Sequence, residues 1–221
     1  MTNAMPRPGY QAIIWDFDGT LTRRPDMWCT SIAEACQLAG ALDVTPADFD
    51  NTAYLYLPWN TKQLCHPHAE SAELWWHAFL THVRPLVAER VNRTVVDMEA
   101  VLHAVRKLAL DPQRYEVLTE STIAVTRISA SGLPQYVLSN HVPELDEIVS
   151  DLFPYRFREV WSSGRIGFEK PREEIFRYAL DRIPFPADTV LMVGDDYYRD
   201  LEPARTLGMQ VMHVSEVCSL R

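Results

Sequence analysis

In "QAIIWDFD" (residues 11–18) an uninterrupted apolar run ends in two acids, Asp16 and Asp18. A short continuous apolar run bounded by polar residues predicts a parallel strand buried on both faces. "QYVLSN" (135–140), "TVLMVGDD" (189–196) and "QVMHVS" (210–215) repeat the pattern, and "REVWSS" (158–163) is a weaker version. Around these runs the apolar spacing turns helical. "PELDEIVSDLF" follows the second run, "PREEIFRYALDRI" precedes the third, and "YRDLEPARTLG" follows it, with Gly208 placed to end the helix. Strands alternating with helices predict an α/β fold with a parallel sheet and helices on both faces. In such a sheet ligands bind beyond the carboxyl ends of the strands. Asp16/Asp18, Ser139/Asn140 and Asp195/Asp196 all fall at such an end.

Residues 22–114 break this rhythm. They carry long helical patterns, "DMWCTSIAEACQLAG", "HAESAELWWHAFLTHVRPLV" and "VVDMEAVLHAVRKLAL", over a span far beyond the ~12–15 residues at which a structureless loop becomes uncommon. The expectation is an all-helical domain, residues 23–113, inserted into a core built from residues 1–22 and 114–221. "PDMW" and "DPQRY" stand where the chain crosses between the two.

Composition narrows the chemistry. The 221 residues are 47% hydrophobic, enough for a sizeable core, and the net charge is -9. Without a basic face, nucleic acid is not the expected partner. The four cysteines form no CxxC pair, so a reducing cytoplasm is expected. The N-terminal "MTNAMPRPGY" lacks the layout of a signal peptide. No stretch approaches the ~18 apolar residues of a membrane span, so no membrane association is expected.

Asp16 and Asp18, at i and i+2 of extended chain, project to the same side. Two carboxylates held close repel unless a cation or a proton neutralises one. Mg²⁺, a hard ion that takes carboxylate and phosphate oxygens, suits the pair. One carboxylate can then act as nucleophile and the other as proton carrier. "VGDDYYRD" supplies a second acidic cluster, Asp195, Asp196 and Asp200. Asp196 and Asp200 read equally well as a helix cap and a first-turn charge. Ser139 and Asn140 offer a hydroxyl and an amide. Lys170 precedes Pro171 at a helix mouth, where a cation opposes the helix dipole, as expected if it neutralises carboxylates and phosphate gathered there.

The order "DFDGTL" (16–21), "LSN" (138–140), "KP" (170–171) and "GDDYYRD" (194–200) resembles the haloacid dehalogenase superfamily of aspartate-nucleophile phosphohydrolases. The resemblance covers residues 11–22 and about 115–215. It implies a Rossmann-like core with a C1-type helical cap inserted after the first motif, in the position of residues 23–113. It also implies roles. Asp16 would become phosphorylated, and Asp18 would protonate the leaving oxygen and then activate water. Mg²⁺ would be held by Asp16, the main-chain carbonyl of Asp18, and Asp195. Ser139, Asn140 and Lys170 would bind the phosphoryl oxygens. Asp200 would orient Lys170 or a metal-bound water, while Asp196 stands between second ligand and helix cap.

Family members that release halide, or that cleave phosphonates, lack an acid at the position of Asp18. Its presence therefore implies a phosphatase acting on a small phosphorylated metabolite. A sugar phosphomutase and a catalytically idle binding protein are the alternatives. The chain departs from the usual pattern with "TRRP" after Leu21, where Arg23 and Arg24 either reach a second anionic group on the substrate or are simply solvated. Trp15 is expected to affect packing only.

Other features carry blander expectations. Cys65, His66 and His68 in "CHPHAE" read as a loop or helix start rather than a zinc site. Cys29 and Cys36 share a helix face and should pack. Trp75 and Trp76 should fill a helical core. Tyr54, Tyr56 and Trp59 either do the same or line a substrate pocket.

Overall fold

The computed structural model describes residues 9–49, 71–91 and 97–220. Cys65, His66, His68, Tyr54, Tyr56 and Trp59 lie outside the described residues. The expected strands form one sheet: β1 (Ala12–Trp15), β4 (Gln135–Ser139), β5 (Glu159–Ser162), β6 (Val190–Gly194) and β7 (Gln210–His213), in the spatial order β5-β4-β1-β6-β7 and all parallel. The chain builds outward from β1 to β5 on one side, then returns to place β6 on the other. This reversal leaves a crevice at the carboxyl ends of β4, β1 and β6.

Alternation along β1 assigns the two faces. Ile13 and Trp15 join one apolar cluster and Ala12 and Ile14 join the other, all fully buried. The Ala12/Ile14 face is covered by α6 (Glu173–Leu180), through Ile175 and Phe176, and by α7 (Glu202–Thr206), through Ala204. The opposite face receives α4 (Thr119–Ser131), through Val125 and Ile128, and α5 (Leu145–Leu152), through Leu145 and Ile148. Burying one such side chain fully contributes about 1.5–3 kcal/mol, so these faces outweigh the surface ion pairs in holding the sheet. Trp15 packs as expected, and its indole N–H donates to Gln135 Oε1 at 3.0 Å.

Helix α4 was not anticipated. Its face is made of Ala124, Val125 and Ile128 among Thr and Ser, too weak an apolar stripe to stand out. Also unforeseen was a short antiparallel ribbon, β2 (Thr22–Arg23) with β3 (Glu116–Val117). It joins the two ends of the intervening segment beside the expected crossing points.

That segment contains α1 (Met27–Leu38), α2 (Ala72–Arg90) and α3 (Met98–Ala109). Ser71 caps α2 by accepting from Leu74 N, and Asp97 caps α3 by accepting from Glu99 N and Ala100 N. Buried Val101, Leu102, Val105 and Ala109 give α3 one apolar stripe. Cys29 and Cys36 are buried on α1, and Trp75 and Trp76 on α2. Trp28, Trp75, Trp76 and Phe79 pack ring against ring, with centroids 4.5–6.4 Å apart. The rings belong to the same apolar cluster as Ile13 and Trp15, so these helices share the core of one sheet face. A buried carboxylate reinforces the seam: Glu144, just before α5, accepts from Trp76 Nε1 at 2.9 Å and from Arg106 at 2.9 Å.

Candidate active site

β1 carries Asp16 to the crevice floor, where it is 4% exposed. Its Oδ1 accepts from Ser139 Oγ at 2.8 Å, at the end of β4, and from Lys170 Nζ at 2.5 Å. Thr20 Oγ1 approaches Oδ2 at 3.4 Å. Lys170 Nζ also donates to Asp200 Oδ1 at 2.6 Å. A buried ammonium thus lies between two buried carboxylates. Burial by itself would lower the Lys170 pKa, but Asp16 and Asp200 outweigh it and hold the ammonium above its ordinary range.

Asn140 uses both ends of its amide on one residue: Nδ2 donates to Lys170 O at 2.8 Å, and Oδ1 accepts from Lys170 N at 2.7 Å. Its side chain therefore fixes the lysine rather than pointing freely at a ligand. Asp196 accepts from Tyr198 N and Arg199 N, which makes it the cap of the π-helical turn Tyr197–Leu201. Asp200 spends one oxygen on Lys170 and the other on Asp196 N, at 3.2 Å. Burial pushes its carboxyl up, and Lys170 pulls it back.

Two glycines make the acidic turn fit. Gly19 has φ 85°, and a Cβ there would lie 2.2 Å from Asp195 Oδ2. A Cβ on Gly194 would lie 2.4 Å from Asp200 Oδ2. One oxygen from each of Asp16, Asp195 and Asp200 falls within 4.8 Å of the others. With Asp200 committed to Lys170, the hard oxygens of Asp16 and Asp195, the latter seated where Gly19 has no side chain, fit a divalent cation. Burial and the charge of Asp16 raise the Asp195 carboxyl, as for an anion short of positive charge.

Asp18 faces the same cleft, with its side chain 44% exposed toward it. Desolvation between the cleft walls, then the charge of Asp16, push its carboxyl up to about 7; exposure to a narrow cleft is not exposure to bulk water. No described residue hydrogen-bonds this carboxyl, and the approaching side chain is His141, with Nε2 3.8 Å from Asp18 Oδ2. His141 is 2% exposed and its Nε2 lies 3.1 Å from Tyr115 Oη. Sequence reasoning passed over both, although His141 directly follows Ser139-Asn140 and Tyr115 closes "DPQRY".

The cleft encloses about 410 Å³ and is also lined by Arg23, Arg24, Met27, Trp28 and Arg199. The two arginines of "TRRP" part ways. Arg23 is exposed. Arg24 donates to Ala109 O and Leu108 O, each at 2.8 Å, and so caps the carboxyl end of α3. Its guanidinium also lies over the Tyr115 ring, 4.8 Å from the centroid.

Comparisons with known proteins place the fold. Over 212 residues, 90% of this chain and 82% of the relative, the chain is 27% identical to the haloacid dehalogenase-like hydrolase domain-containing protein 3 of Danio rerio. Over 104 residues, 46% of this chain and 42% of the relative, it is 30% identical to a phosphoserine phosphatase of Thermus thermophilus. Among solved structures, the magnesium-bound putative HAD-hydrolase YfnB of Bacillus subtilis superposes with a TM-score of 0.62 at 18% identity, covering 91% of this chain and 87% of that one. Residues 10–208 match the profile of the family described as haloacid dehalogenase-like hydrolase. With four motifs meeting at one crevice and a family match spanning nearly the whole described core, this chain belongs to the haloacid dehalogenase-like hydrolases.

Proposed function

We propose that this hydrolase is a Mg²⁺-dependent phosphatase that cleaves a small-molecule phosphate monoester through an aspartyl phosphate on Asp16. The observation that carries the reading is the meeting of Asp16, Ser139 and Asp195, from three strand ends, with Lys170, from the turn before Glu173–Leu180, at one 410 Å³ cleft. A carboxylate oxygen of Asp16 attacks phosphorus, and the bond to the ester oxygen breaks. Asp18, whose carboxyl is pushed up by burial and then by Asp16, gives its proton to the departing alkoxide. The resulting Asp18 carboxylate takes a proton from water, whose oxygen attacks phosphorus and breaks the bond to Asp16. Inorganic phosphate leaves and both aspartates return to their starting states.

Lys170 and Ser139 stand where the phosphoryl oxygens would lie, and Asn140 serves them by holding Lys170. Asp16, Asp195 and the main-chain carbonyl of Asp18 would hold Mg²⁺, which when bound supplies positive charge to the phosphoryl oxygens. Asp200 keeps Lys170 in place. Residues 23–113 act as a cap, because Met27 and Trp28 of α1 wall the same cleft.

Arg23 receives a second anionic group of the substrate, since Arg24 is committed to the end of α3. Phosphate release from a metabolite panel, with Asp16→Asn as the blank and EDTA as the metal control, tests the whole reading. Activity surviving either treatment overturns it. Within the panel, Arg23→Ala should raise KM for acidic esters and spare neutral ones; an equal effect on both would remove the second-anion role. No described helix is long and apolar enough to cross a membrane, and a reducing cytoplasm suits the thiols of Cys36 and Cys218.

A further inference from the structure

We propose that His141, held by Tyr115, is a positioning residue that aims the Asp18 carboxyl during proton transfer. The inference rests on the reading of Asp18 as the acid/base. The motif roles explain Asp16, Ser139, Asn140, Lys170 and Asp195, but leave Asp18 without a hydrogen bond from any described residue.

The ring beside Asp18 is built into place. His141 meets Phe17 edge to face, with centroids 5.4 Å apart and planes at 84°. Phe17 is itself fully buried between the two aspartates in sequence. His141 Nδ1 is buried without a hydrogen-bond partner, so Nε2 is the working end of the ring. Nε2 faces Tyr115 Oη at 3.1 Å, and the tyrosine hydroxyl reaches Ala109 O at 3.5 Å. A proton on Nε2 suits this network, since it leaves the unpartnered Nδ1 without a hydrogen: the ring then donates to Tyr115, whose hydroxyl reaches Met27 Sδ and the last turn of α3. From there Asp18 Oδ2, at 3.8 Å, is about 0.6 Å beyond the usual N–H···O range. A small carboxyl rotation brings it under the same N–H. Held by Tyr115 and Phe17, the ring serves as a fixed donor to the Asp18 carboxylate left after the leaving group has taken the proton.

An acid that is well aimed matters most when the leaving group needs a proton. The test compares an alkyl phosphate with p-nitrophenyl phosphate, whose leaving group needs little help, at saturating Mg²⁺. Enzymes are wild type, His141→Phe, His141→Gln, Tyr115→Phe and Asp18→Asn. His141→Phe is expected to lower kcat/KM for the alkyl ester at least ~10-fold more than for the aryl ester, within the ~10²–10⁴ attributed to general acid–base catalysis. His141→Gln, which keeps a side-chain N–H, should recover part of that difference, and Tyr115→Phe should show a smaller loss of the same selectivity. If His141→Phe does not fold, His141→Gln and Tyr115→Phe carry the comparison. Equal losses on both esters in the His141 and Tyr115 variants, with a selective loss in Asp18→Asn, would overturn the positioning role alone. A uniform loss in Asp18→Asn would overturn the acid/base reading on which it stands.

Discussion

Lys170 Nζ and Asp16 Oδ1 stand 2.5 Å apart, with both side chains almost fully buried. The same ammonium holds Asp200 at 2.6 Å. Truncating one partner of a buried charge pair leaves the other uncompensated, at a cost of roughly 3–5 kcal/mol. Lys170→Met should therefore lower stability by about that amount in EDTA, read by urea unfolding, and lower turnover by ~10²–10³. Adding Asp200→Asn to that variant should recover stability and leave turnover low. Recovery of both would show that Lys170 acts only as a counter-ion.

Gly19 is the position at which space and backbone both exclude a side chain. Gly19→Ala would place a methyl 2.2 Å from Asp195 Oδ2 at a φ of 85°, where a non-glycine residue costs about 1–2 kcal/mol. The expected result is a folded protein needing at least ~10-fold more Mg²⁺ for half-maximal phosphate release, a loss on the scale seen for disturbed ligand shells. An unchanged Mg²⁺ requirement would separate Asp195 from the metal.

Glu144 ties α2 and α3 to the loop after β4 by accepting from Trp76 and Arg106. Glu144→Ala strands a buried indole N–H, and it should lower stability by about 1–3 kcal/mol in urea unfolding. Trp76 should also meet more water, shifting tryptophan emission to the red. Wild-type emission and stability would mean that the aromatic packing alone holds the seam.

His141 sets a pH dependence of stability. Burial, and then Arg24, push its pKa down to about 3 from an ordinary value of 6.5. Between these values the unfolded chain binds a proton that the folded chain does not. Stability is therefore lost as pH falls below about 6.5. His141→Gln removes this contribution, so the stability lost by wild type relative to the variant should grow by about 1.4 kcal/mol per pH unit on the acid side. Urea unfolding at about pH 5 and about pH 8 decides it, because parallel shifts in the two proteins would place a water or a charge at the ring.

The buried strands were legible because each is a short apolar run ending in polar residues, and their carboxyl ends already grouped Asp16, Ser139 and Asp195. Helix α4 was not, since its buried face is small and its Ser and Thr resemble a loop. Arg23 and Arg24 look alike in sequence, yet one is exposed and the other caps α3 through carbonyls 84 and 85 residues away. Asp196 was balanced between second ligand and helix cap until its bonds from Tyr198 N and Arg199 N made it the cap of the turn.

What the sequence determined by itself is local. Periodicity set the strands, and the order of acidic, hydroxyl and lysine motifs set the chemistry available at their ends. The tertiary structure decided which partners those groups took: Asn140 with Lys170, Arg24 with α3, Glu144 with Trp76, and His141 beside Asp18. Each of those choices depends on the directions of side chains from elements far apart in the chain, and such directions exist only after the apolar faces have packed.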